Sequence, residues 1–186
     1  MCLEFPEDPV APGLDRQYML GPSLLVAPVF NEEGRCRVYL PAGRWYDFWT
    51  NEVSTGPAHL HLEVPLERIP LFVREDSILP LAPAMDYVGQ RPWEPIQLDV
   101  RVSSHARAAF ADPTRTITAE AEVNDGRLTL AVDGPAKAFE VRPLAPARLR
   151  DIKATGAASG VEPTVEDSIT TVRLQAGGPF KLTASV

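Results

Sequence analysis

An all-β fold is what this sequence predicts, and three observations carry the prediction. Its 186 residues include 19 prolines, about twice the usual frequency near 5%, and proline suits strand edges and turns rather than helix interiors. Apolar residues recur chiefly at every second position, with few segments at the three-to-four spacing of a buried helix face. Finally, two alternating runs flank Asp125-Gly126, the signature of a hairpin whose turn needs positive φ. A single compact chain of this length would bury about 70% of its unfolded surface, so a genuine core is attainable in one sizeable domain or two small ones.

The elements follow in order. Residues 14–20 read as one or two helical turns stopped by Gly21-Pro22, and residues 24–29 as a short apolar strand of the kind buried on both faces. From Arg37 onward the pattern alternates. Leu60, Leu62 and Val64 fall on one face of a strand, with His59, His61 and Glu63 on the other. Ile96, Leu98, Val100 and Val102 repeat the arrangement against Gln97, Asp99, Arg101 and Ser103. Ile117, Ala119, Ala121 and Val123 then alternate up to the Asp125-Gly126 turn, and Leu128, Leu130 and Val132 alternate back. Residues 154–160 read as a flexible loop, Gly177-Gly178-Pro179 as a turn, and residues 180–186 as a last strand with Phe180, Leu182 and Ala184 on one side. Gly89-Gln90-Arg91-Pro92 punctuates the chain after a proline-rich stretch, and the domain boundary is expected between residues 87 and 93.

Charge and cysteine content exclude several functions. The net charge is −7, with 13 acids and 7 bases in residues 1–92 and 12 and 11 in residues 93–186. No basic patch emerges from either half, which argues against nucleic acid, whose binding rests on neutralising phosphates. Cys2 and Cys36 form no disulfide framework, and a reduced, cytoplasmic setting is the simpler expectation. No apolar run reaches the ~20 residues needed to span a bilayer, and the first eight residues lack a secretory pattern. No membrane partner is expected.

Four segments in unbroken order carry a resemblance. They are Leu14-Asp15-Arg16-Gln17-Tyr18-Met19-Leu20-Gly21-Pro22-Ser23-Leu24-Leu25-Val26-Ala27-Pro28-Val29-Phe30, Val38-Tyr39-Leu40-Pro41-Ala42-Gly43-Arg44-Trp45-Tyr46-Asp47-Phe48-Trp49-Thr50, Pro65-Leu66-Glu67-Arg68-Ile69-Pro70-Leu71-Phe72-Val73-Arg74 and Ser77-Ile78-Leu79-Pro80-Leu81. Over roughly the first half of the chain they resemble the C-terminal part of family 31 glycoside hydrolases, which are retaining α-glycosidases. The first segment is similar to the end of that family's catalytic (β/α)8 barrel, in a spelling closer to the α-xylosidase branch. Residues 110–113 lack the acidic segment common in α-glucosidase relatives. The resemblance implies two antiparallel β-sandwich-like domains behind a barrel remnant: residues 1–24 as the remnant, 25–92 as the proximal C-terminal domain and 93–186 as the distal one. It also implies that residues 24–29 lack the barrel neighbours that would cover them, and that Met1 is an internal methionine of a longer enzyme.

Retaining hydrolysis needs two carboxyl groups about 5–5.5 Å apart, on a barrel that takes about 250 residues. Neither catalytic motif of the family is present, so no catalytic residue, cofactor or metal ligand is assigned. Trp45, Asp47 and Trp49 would share one strand face and could present two indoles to a sugar; packing is the favoured reading, because Tyr46 and Phe48 fill the other face. His59 and His61 have the spacing of a metal pair, with Glu63 or His105 as further ligands, but strand alternation alone places them toward solvent. Glu32-Glu33, Glu75-Asp76 and Glu166-Asp167 are adjacent acids whose side chains point apart. Ser23, Ser77 and Ser103 lack a nucleophile elbow. Two readings remain. One is a non-catalytic accessory portion of an α-glycosidase, whose partners are the barrel of the same enzyme and further copies of the subunit; the other is an independent carbohydrate-binding module built on Trp45 and Trp49.

Overall fold

A computed structural model describes residues 1–111, 116–135, 137–143, 149–166 and 169–186. Among these the regular elements are strands, apart from one 3-10 turn at Ala11–Gly13, so the all-β class holds. The chain divides into two compact units, Met1–Glu75 and Asp76–Val186.

The first unit contains β1 (Tyr18–Leu20), β2 (Leu24–Val26), β3 (Arg35–Asp47), β4 (Val53–Glu63) and β5 (Leu71–Arg74), in an antiparallel sheet ordered β1-β2-β5-β3-β4. Two expectations are corrected here. Residues 14–20 are not helical: Gly21, at φ 65°, reverses the chain so that Tyr18 pairs with Val26. Nor is β2 an uncovered remnant, because β1 and β5 pair with its two edges and Leu24, Leu25, Val26 and Ala27 are all buried. The core of the unit gathers Leu25, Ala27, Val38, Leu40, Trp45 and Phe72, with Met1, Phe5 and Met19 packed against it. Residues near the N-terminus thus supply apolar cover to the same core that β2 enters.

β3 and β4 pair in register from Arg35↔Glu63 to Leu40↔Ala58, then slip before resuming at Gly43↔Gly56. Extra residues on one strand bend it and strengthen its twist. Gly56 makes the close approach feasible: a Cβ there would fall on the Pro41 carbonyl oxygen and lie 2.6 Å from that of Leu40.

The second unit contains β6 (Ser77–Leu81), β7 (Ile96–Arg101), β8 (His105–Ala111), β9 (Thr116–Asn124), β10 (Arg127–Asp133), β11 (Lys137–Pro143), β12 (Arg150–Glu166) and β13 (Ile169–Ser185). One sheet runs β6-β7-β11-β13-β10-β9-β8, with β12 pairing on β13. The expected hairpin forms between β9 and β10, with Asp125 at φ 49° and Gly126 at φ 70°, both positive as a type I′ turn demands. Residues 77–81, placed before the boundary in the sequence reading, pair with β7 inside this unit.

Two segments read as irregular are strand. Gly177-Gly178-Pro179 lies inside the 17-residue β13, at the point where that strand exchanges partners. Val172 to Ala176 pair with β11 and Phe180 to Ser185 with β10. Residues 154–160 belong to β12, whose small side chains accommodate register shifts around Gly156 and Ser159 while it follows β13. The core of the unit joins strands from both ends of the sheet, including Leu98, Val100, Phe139, Val141, Ile117, Leu130, Val172 and Leu182. Phe139 and Phe180 meet at 5.2 Å between ring centroids.

Candidate functional site

The aromatic run on β3 splits into two environments. Trp45 faces the core with no exposed surface, and its indole N–H donates to the Pro41 carbonyl at 2.8 Å, within the irregular stretch that β3 inserts opposite β4. A buried indole needs such a partner. Phe5 lies 6.2 Å away at a tilt. Trp49 is 44% exposed and stands beyond the strand, which ends at Asp47. The Asp47 carboxylate accepts the Trp49 and Thr50 backbone N–H groups at 2.8 and 2.9 Å, turning the chain as aspartate side chains commonly do. Strand alternation therefore stops before Trp49, and the expected shared face of the two indoles does not form. Trp49 donates its own indole N–H to the Ile69 carbonyl at 2.8 Å, under the Arg68 guanidinium at 5.7 Å and beside Phe48 at 5.1 Å.

Polar side chains around this strand hold the first thirteen residues to the sheet. Tyr39 donates its hydroxyl to Asp8 Oδ2 at 2.8 Å, while Asp8 Oδ1 accepts the Val10 and Ala11 N–H groups that open the 3-10 turn. Burial pushes the Asp8 carboxyl upward, but the Val10 N–H, the Tyr39 hydroxyl and the Ala11 N–H together hold it below its ordinary value. The Tyr39 phenol is raised, by burial first and then by Asp8. Gln17 completes the set: its side-chain amide accepts the Tyr39 N–H at 2.8 Å and donates to the Tyr39 carbonyl at 2.7 Å, pairing with β3 as a strand backbone would. Arg74 reaches Glu4 at 3.2 Å over the Phe5 ring.

His59 and His61 face solvent, as alternation requires; His59 stacks at 4.9 Å on Tyr39. Among the described residues no group of three His, Cys, Asp or Glu side chains is placed to hold a metal. Of the adjacent acids, Glu75 and Asp76 diverge as expected. Glu75 pairs with Arg44 at 2.8 Å, whereas Asp76 turns to the Ser103 and Ser104 N–H groups at 2.7 and 3.0 Å and to both serine hydroxyls. Burial raises the Asp76 carboxyl and these four bonds outweigh it, leaving it lowered. Asp112, Pro113 and Asp167 lie outside the described residues.

Sequence reasoning also missed the pairing of Asp99 with Arg142. Alternation assigned Asp99 to an outer face, yet its side chain is 1% exposed, and Arg142 grips both its oxygens at 2.8 and 2.7 Å. The hydrogen bond to Asp99 raises the Arg142 guanidinium further. The pair arises from the parallel register of β7 and β11, which sets Asp99 opposite Arg142. No local pattern in either strand announces a partner 43 residues away.

Residues 1–79 match the family model described as the glycosyl hydrolase family 31 C-terminal domain. The match covers 79 of the 186 residues. Over 102 residues it is 37% identical to an α-xylosidase of Saccharolobus solfataricus, a match covering 54% of this chain and 14% of the relative. It is also 42% identical over 82 residues to an isomaltosyltransferase of Sporosarcina globispora, covering 44% of this chain and 8% of the relative. Among solved structures, a family 31 dextranase of Flavobacterium johnsoniae superimposes on the whole chain with a TM-score of 0.87 at 20% identity, over 28% of its own length. The family 31 α-xylosidase of Xanthomonas citri covers 97% of the chain with a TM-score of 0.69 at 26% identity, over 21% of its length. The fold likeness extends through the second unit, beyond the 79 residues that the family model of this C-terminal domain matches. Trp45, Trp49 and the Asp8–Tyr39–Gln17 set all lie inside the matched portion.

Proposed function

We propose that this chain serves as the non-catalytic β-portion of a retaining, α-xylosidase-like glycosidase, and that its first unit buttresses the catalytic barrel. One observation carries the reading. Pro28, Val29, Val64, Pro65, Leu66 and Ile69 line a groove of about 280 Å³ in the family-matched unit, where Leu66 is 99% and Ile69 49% exposed. Contiguous exposed apolar surface of this kind marks an interaction site. Glu32, Glu33 and Arg68 line the same groove, which gives it the polar rim usual for an interface.

The carboxylates support a non-catalytic role. A glycosidase acid needs a raised pKa, whereas among the described residues the carboxyl groups displaced from their ordinary values, Asp8, Asp76 and Glu120, are moved downward. Burial of Trp45 and the internal hydrogen bond of Trp49 weigh against the independent sugar-binding reading. Two measurements test the proposal. The purified chain is expected to leave aryl α-xylosides and α-glucosides intact; turnover abolished by mutating one of its own Asp or Glu residues would overturn the non-catalytic reading. Mixed with the Xanthomonas citri α-xylosidase truncated before its C-terminal domains, the chain is expected to bind, and Leu66→Lys with Ile69→Lys to weaken binding at least tenfold. Binding indifferent to those substitutions would remove this groove from the interface.

A further inference from the structure

A second concave site lies in the other unit, away from the family-matched segment. It is a groove of about 400 Å³ whose lining includes the exposed residues Arg107, Glu120, Ala131 and Lys181. Its origin is legible in the register. Arg107 pairs with Glu120, Glu120 with Ala131, Ala131 with Lys181 and Lys181 with Thr155, so five strands contribute one transverse row. Long charged side chains stand on both sides of Ala131, whose single methyl leaves a notch. A second row adds Thr118 opposite Asp133, and Gly156 and Pro179 extend the floor.

The chemistry of the lining selects the ligand. Arg107 and Lys181 are donors, Glu120 and Asp133 acceptors, and Thr118 and Thr155 can be both. Among the described residues these four charges balance, so neither a simple anion nor a simple cation gains a net attraction from them. Small apolar and backbone groups form the floor. Such a surface suits a neutral polyhydroxylated molecule, with alternating hydroxyl donors and acceptors at its edge and C–H groups on its face. The volume lies within the range of small-ligand sites. His105 sits 2.8 Å from Glu120 and orients that carboxylate. We infer that this groove binds a short neutral oligosaccharide.

Using α-linked glucose oligomers as the probes rests on the glycosidase reading; the groove itself argues only for a neutral polyol. The test is amide chemical-shift mapping on the full chain, titrated with isomaltotriose, maltotriose and, separately, inorganic phosphate. Either trisaccharide is expected to shift the amides of Arg107, Glu120, Ala131, Thr155 and Lys181, with a dissociation constant on the order of 1 mM. Ala131→Arg, which fills the notch, and Lys181→Ala, which removes a donor from an exposed position, are each expected to weaken binding at least tenfold. Glu122→Gln, one pair along the same strand face, is expected to leave it unchanged. Shifts with phosphate alone would replace the proposal with an anion site. Absence of shifts at these residues, or shifts confined to Trp49, would overturn it. Those outcomes leave the buttress reading standing, since Leu66 and Ile69 belong to the other unit and are tested by a different binding partner.

Discussion

Trp45 shows how one side chain can be both the best sequence landmark and a poor guide to function. It sits in the most aromatic stretch of the chain, yet its surface is wholly withdrawn from water and its N–H is committed to Pro41. Trp45→Ala is expected to cost about 3–5 kcal/mol, the range for deleting a buried aromatic. Trp45→Phe keeps most of the apolar contact but leaves the Pro41 carbonyl without its donor, at about 1–2 kcal/mol. Urea titration of both variants checks the order. Asp76 offers a pH-dependent counterpart. Its carboxylate is more acidic when folded than its ordinary value of 3.8, so folding favours the ionised form. The resulting stability is fully present above 3.8 and is lost as pH falls through the lower native value. Asp76→Asn is therefore expected to flatten the acid limb of a stability-against-pH curve, and an unchanged limb would show that Asp76 contributes nothing to it. These carboxylate bonds were not legible in the sequence, because Ser103 and Ser104 are 27 and 28 residues distant.

At the level of elements, alternation served well wherever a strand has one wet face, as in β4, β9 and β10, whose residues alternate strictly between more and less exposed. It failed where both faces are covered. Leu98 and Asp99 are neighbours on β7 and both are fully buried, so period-2 logic gave the core face correctly and the opposite face wrongly. It failed again where small residues hide a strand: nothing apolar in residues 154–160 signals the pairing that β13 imposes on β12. The resemblance misled in the same way for β2. A strand that is similar to a barrel end was expected to be bare, but β1 and β5 pair with its two edges. The consequence is testable. Leu25→Lys puts an ammonium where the side chain has no exposed surface, and is expected to destabilise the unit by more than about 3 kcal/mol. A soluble, native-like Leu25→Lys chain with unchanged thermal midpoint would return β2 to the surface.

For the whole molecule, the same correction moves the site of association. With β2 covered, the apolar groups left to water in the first unit include Leu66 at 99%, Phe30 at 66% and Ile69 at 49%, and two of these line the groove proposed to meet the barrel. If that groove normally meets a partner, the isolated chain must either expose it or bury it against another copy. Either state is expected to be visible, as binding of a hydrophobic dye or as a concentration-dependent sedimentation coefficient. Leu66→Lys with Ile69→Lys should suppress both, because it places two cations on the exposed apolar surface. Stability should change little, since substitutions at exposed sites are usually worth within about 0.5 kcal/mol. The contrast with Leu25→Lys decides between the two locations: a lysine at 66 that cures association without unfolding, beside a lysine at 25 that unfolds, identifies the groove. Association that persists in the double variant would point to strand edges instead, beginning with β4, which has a pairing partner on one side only and therefore offers unpaired backbone groups along its other edge.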